Sequence, residues 1–143
     1  MSGELFSSGI IRVVVPAGWM CFCGIDSEGV TSPKKLHIYK DAQTEFDIFS
    51  KAGLTICYYG KGEYFLSPRF IYDNVQDLEP FVCGKHQWNG YTCTSLGYPY
   101  TMLTATSDGA TIYVMVLTEN GEHQISLQDG DVRSILESIE ACE

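Results

Sequence analysis

A cysteine nucleophile needs a base within hydrogen-bond reach, and Cys83 and His86 stand three residues apart in "FVCGKHQW". On a single strand, residues i and i+3 project to opposite faces, so this pair is not expected to meet. Cys21 and Cys23 point the same way on a strand and could share a soft metal with His37 or Cys57. Structural zinc takes four ligands, usually as close pairs, and only one pair is visible, with spacing unlike a knuckle. Asp129-Gly130-Asp131 begins like a calcium loop but lacks the rest of the pattern and its closing glutamate. Those aspartates suit a helix N-terminus better, where negative charge meets the positive end of the macrodipole. Asp73, Asp77 and Glu79 are spaced as a solvated helix face, and Gly60 and Gly62 lack the lysine-serine tail of a phosphate loop. The expectation is no catalytic residue, no metal and no cofactor.

Aromatic residues are the stronger signal. Among nine tyrosines, Tyr91, Tyr98 and Tyr100 cluster beside Trp88 around a hairpin, and Tyr58, Tyr59 and Tyr64 form a second group. In "ATIYVMVLT", Ile112, Val114 and Val116 point one way and Tyr113, Met115 and Leu117 the other. Aromatics are ordinary sheet residues and are also enriched at recognition surfaces. The candidate binding residues are therefore Trp88, Tyr91, Tyr98, Tyr100, Tyr113 and Met115.

The elements that must position them follow from periodicity and turn residues. Residues 10–15, "IIRVVV", predict a strand, Pro16-Ala17-Gly18 a tight turn, and residues 19–24 a second strand forming a hairpin with the first. Residues 36–40 and 54–59 predict strands, with possible helices over 41–53, capped by Asp41, and over 72–80, ended by Pro80. Residues 60–68 read as a loop. Asn89-Gly90 predicts a two-residue hairpin turn, Ser107-Asp108-Gly109 a second, and Asn120-Gly121 a further turn. Val132, Ile135, Leu136 and Ile139 fall at i, i+3, i+4 and i+7, the stripe of an amphipathic helix, with Ser126 as its N-cap and Asp129 three residues on. That helix is expected to cover the Ile112 side of the sheet, leaving 41–53 and 72–80 to cover the Tyr113 side.

The 143 residues suit a single domain spanning 1–143. A net charge of -9 and only nine basic residues, scattered along the chain, argue against nucleic acid and against anionic lipid. No apolar run reaches membrane-spanning length. "MSGELFSSGI" has neither a basic n-region nor an apolar h-region. It fits a cytoplasmic protein, and equally one whose export signal has been removed. Six cysteines without a framework spacing read as mostly reduced core residues.

An opening strand ending in Pro16-x-Gly18-Trp19, antiparallel strands and a closing "DVRSILESI" with Ile135, Ser138 and Ile139 resemble the PsbP-like fold. That fold is named for an extrinsic protein of photosystem II and is shared by a nuclear import factor that binds the Ran GTPase. The likeness implies an α+β domain: an antiparallel β-sheet meander flanked by helices, with an amphipathic C-terminal helix. It is nearest to small bacterial domains of this class, often exported, and it carries no functional residue over. Two readings stay open. One is a non-catalytic domain binding a protein partner or a second copy of itself. The other is a small-molecule or carbohydrate binder with an aromatic-lined cleft.

Overall fold

The computed structural model describes residues 3–107 and 109–142. Gly3–Ser7 (β1) pairs antiparallel with Ile11–Pro16 (β2), whose β-branched side chains favour extended backbone. Pro16 has no N–H to extend the ladder, and Gly18, at φ +87°, turns the chain into Trp19–Ile25 (β3). The two strands do not form the expected hairpin. β2 stays in a small sheet and β3 enters a large one, so Ala17 and Gly18 make a corner between sheets.

β3 pairs with Thr31–Lys40 (β4), and β4 with Gly53–Tyr59 (β5). The helix expected over 41–53 is a single 3-10 turn, Glu45–Phe49, with no buried residue. Asp47 accepts the N–H groups of Gln43 and Thr44, which fixes a tight turn, while Asp41 sits at φ +60° in a bend. With no apolar stripe to bury, the segment has nothing to extend a helix against.

After β5 the chain crosses the sheet as residues 60–72 and enters Asp73–Asp77 (β6) at the far edge. The helix expected over 72–80 is thus a strand, paired with the later strand His86–Ser95 (β8) through Asp73↔Thr94 and Asp77↔Tyr91. "FVCGKHQW" is two strands, Phe81–Cys83 (β7) and the start of β8, joined by Gly84 and Lys85. Gly84 at φ +65° supplies the left-handed first position of that turn.

The hairpin expected at Asn89-Gly90 is absent. β8 runs straight through both residues, and a Cβ on Gly90 would collide with the Met102 carbonyl oxygen. The glycine is there for close backbone approach, not for a turn. The turn lies at Leu96-Gly97, both with positive φ, between Ser95 and its partner Tyr98. Tyr98–Ser107 (β9) and Ala110–Leu117 (β10) form the next hairpin, Gly109 at φ +84° lying in its turn. Asp108 of the expected turn lies outside the described residues.

Glu119–Asn120 (β11) and His123–Gln124 (β12) close the Gly121 turn, and Asn120 Nδ2 donates to the carbonyls of Phe49 and Lys51. Gly130–Ser138 (α1) follows, with Asp129 rather than Ser126 at the N-cap position and no side-chain capping bond to the helix. Ser126 instead donates its N–H to Asp129 Oδ2, forming the turn before the helix. Glu140–Ala141 (β13) returns to β2.

The large sheet has the order β3-β4-β5-β10-β9-β8-β6, with β7 on the end of β8. It is antiparallel but not one meander. Two consecutive-strand blocks meet at the β5–β10 pair, whose strands take the centre and are the most buried of the sheet. One face carries Leu36, Ile38, Leu54, Ile56, Val114 and Leu103, packed in a single core with Ile11 and Val13 of β2 and the α1 stripe. Val132, Ile135, Leu136 and Ile139 are all fully buried, each contributing about 1.5–3 kcal/mol. Ile112, Val114 and Val116 belong to this core, as the sequence pattern predicts. The architecture is mostly antiparallel β-sheet with one short C-terminal helix.

Candidate functional site

The Tyr113 side of the sheet is covered mainly by the crossover, residues 60–72; of the two segments expected to shield it, 41–53 adds nothing to that core and 72–80 adds Tyr72 and Val75. Topology requires a crossing over one face, and the other is occupied by β2 and α1. The chain must pass from central β5 to edge β6, and β10, β9 and β8 lie between. The extended stretch alternates, with Tyr64 and Leu66 turned outward and Phe65 and Ser67 turned toward the sheet. The Phe65 ring lies 4.9 Å from that of Tyr59 and 5.0 Å from that of Tyr113. Phe65 and Tyr72 close over a second core of Tyr91, Cys93, Met102 and Tyr113.

This core carries polar tips. Tyr91 Oη and Ser67 Oγ are 3.3 Å apart. The Tyr113 hydroxyl is buried facing those of Tyr91 and Tyr72, without a well-formed hydrogen bond. Burial, with those neighbouring hydroxyls, drives its pKa far above the ordinary tyrosine range. Burial also raises Tyr91 and Tyr100. The Arg69 guanidinium sits 5.1 Å above the Tyr91 ring and 2.7 Å from Asp77 Oδ1, bridging crossover and β6. Beneath it a cleft of about 340 Å³ is lined by Phe65, Arg69, Asp77, Tyr91, Met102 and their neighbours.

Of the six candidate binding residues, Tyr91, Tyr100, Tyr113 and Met115 meet in or against this aromatic core. Tyr98 is exposed at the start of β9. Trp88 is fully buried in the main core, on the opposite face, with no protein acceptor for its Nε1 among the described residues. It is separated from Tyr91 by three positions of one strand, which reverses its face. Tyr58 likewise faces the main core while Tyr59 faces the crossover.

Sequence reasoning missed the crossover itself. "YFLSPRFIY", residues 64–72, holds six large apolar or aromatic residues in nine positions, a density that loops seldom carry. Four of them remain outward. Tyr64 is 81% exposed, Leu66 60%, Phe70 74% and Ile71 66%.

The candidate catalytic and metal residues are placed differently. Cys83 and His86 face each other directly across the β7–β8 hairpin, so the expected separation on opposite faces does not hold. Both are engaged by the end of the chain. The Cys83 thiol donates to the Arg133 carbonyl, and His86 Nε2 donates to the Ile139 carbonyl at 2.6 Å. Cys21 and Cys23 pack toward the main core, and burial, with a smaller contribution from neighbouring Cys23, pushes the Cys21 thiol up to about 12. His37 lies on the other face, hydrogen-bonded to Thr55 Oγ1 at 2.9 Å, its pKa lowered to about 4 by burial and by Lys35. Among the described residues, no three acidic, cysteine or histidine side chains converge as a metal would require. No helix among them is long and apolar enough to cross a membrane.

No family model and no curated protein matches the chain. Among solved structures, a protein from Bacteroides thetaiotaomicron VPI-5482, crystallised at 1.50 Å resolution, superposes over 100% of this chain with a TM-score of 0.55 and 11% sequence identity. The match covers 50% of that protein's length, so this chain corresponds to half of it. At that identity the likeness is one of fold.

Proposed function

We propose that the chain is a non-catalytic interaction domain that docks an apolar polypeptide surface, a second copy of itself included, through the outward side of the crossover. One observation carries this reading. Tyr64, Leu66, Phe70 and Ile71 are 60–81% exposed on a segment whose other aromatics are already used inward. Large apolar side chains concentrated on one exposed segment mark recognition surfaces more often than plain surface. The pair best suited to nucleophilic chemistry, Cys83 and His86, is committed to main-chain carbonyls of the closing helix. The net charge of -9 opposes nucleic acid. The domain is also read as PsbP-like. Support for that comes from the contact between its two quoted motifs, in which Trp19 bonds Asp131 and the Val14 N–H bonds Ser138 Oγ.

The test is binding of a polarity-sensitive naphthalene-sulfonate dye to the native chain and to a Leu66→Asp, Phe70→Asp double variant. Both side chains are exposed, so the variant keeps the wild-type melting temperature. Dye fluorescence with the wild type and its loss in the variant are expected. Equal dye response in the two proteins contradicts the reading.

A second reading, a small-molecule or carbohydrate binder, is favoured by the 340 Å³ cleft with Tyr91 and Phe65 in its wall. That volume is at the lower end for small-ligand sites. Saturable quenching by a soluble oligosaccharide that Tyr91→Ala abolishes would support this reading over the first.

A further inference from the structure

On the helix side of the sheet, where the crossover begins, a pocket of about 350 Å³ opens between Lys61, the β9–β10 turn, the β7–β8 turn and β13. Its floor is apolar and made of small or branched side chains, Ala105, Ala110 and Ile112. Its rim holds Lys61 and Lys85, with His86 in the inner wall. The charge there opposes that of the chain, which carries only nine basic residues against eighteen acidic ones.

Among the described residues the local balance is positive: Lys61, Lys85 and Arg12 stand against Glu140, which pairs with Lys85 Nζ at 2.6 Å and Arg12 at 2.7 Å, and Glu137, packed beside Gly84 in the β7–β8 turn. Lys61 has no acidic partner among the described residues, and its methylenes lie beside Gly109 where the side chain lines the pocket. A lysine ammonium over an apolar floor is complementary to an anionic head on an apolar body. Charge-assisted hydrogen bonds to carboxylate are the stronger kind.

We propose that this pocket binds small carboxylic acids carrying an apolar body, the carboxylate meeting Lys61 and Lys85 and the body resting on Ala105 and Ile112. The probes are benzoate and hexanoate, with benzamide as the uncharged control, followed by amide chemical shifts of the isotope-labelled chain. Saturable shifts at Lys61, Ser107 and Ala141 are expected with either acid and not with benzamide. Lys61→Met weakens the acid about tenfold, whereas Lys61→Arg preserves most of the affinity. Lys61 is exposed, so neither variant alters the melting temperature. The proposal is overturned if neither acid binds, if benzamide binds as well as benzoate, or if Lys61→Met leaves the affinity unchanged.

Discussion

The Trp19 indole Nε1 donates to Asp131 Oδ2 across 3.0 Å, tying the corner between the two sheets to the first turn of the closing helix. A strand stops at Pro16 and its largest neighbour sits just past the stop because this indole anchors α1. Trp19→Phe keeps most of the buried ring and removes the donor. It is expected to cost about 1.5–3 kcal/mol, the range for a hydrogen bond to a charged group. Denaturant unfolding checks this, and a loss near zero would show the bond to be idle.

Gly90 and Gly97 separate strand from turn. Gly90→Ala forces a methyl group into the Met102 carbonyl and is expected to destabilise by about 1–3 kcal/mol or more. At Gly97, with φ +86° and open space around it, Gly97→Ala costs only about 1–2 kcal/mol of backbone strain. Thermal melts of both variants give the order. A larger cost at Gly97 would contradict the observed register.

Ile135 is fully buried between α1 and the sheet. Ile135→Ala is expected to cost about 2–5 kcal/mol, measured by chemical denaturation. A cost well under that range would mean that the helix is not part of the main core.

His37 makes stability depend on pH. Its folded pKa is near 4 against an ordinary 6.5, so between those values the unfolded chain binds the proton more readily. The contribution is fully present above about pH 6.5 and is lost as the pH falls toward 4. His37→Gln keeps a polar group near Thr55 and removes the titration. Its melting temperature is expected to fall less steeply between pH 7 and 4 than that of the wild type. Parallel curves would show that His37 does not titrate in that window.

The parts of the fold carried by local pattern were legible in the sequence. The α1 stripe of Val132, Ile135, Leu136 and Ile139 and the two-sided strand around Val114 appear as the periodicities require. Where tertiary contacts overrode local preference, the reading failed. Asn89-Gly90 has turn chemistry, but pairing with β9 draws it straight, and the turn falls on Leu96, a residue with no turn preference. Residues 72–80 carry helix-like acidic spacing, yet the open edge of β8 draws 73–77 into a strand. The candidate site was half legible. Tyr91, Tyr100, Tyr113 and Met115 share a face by parity along their strands. What covers them depends on the β5-to-β10 pairing, which sends 60–72 across that face. No local pattern encodes a pairing between strands fifty residues apart.

The central claim is that the outward side of the crossover is an association surface, and its most direct test is light scattering over a range of protein concentration. The wild-type mass is expected to rise with concentration above that of one chain, and the Leu66→Asp, Phe70→Asp variant is expected to remain a folded monomer throughout. Wild type and variant giving the same mass at every concentration would contradict the account.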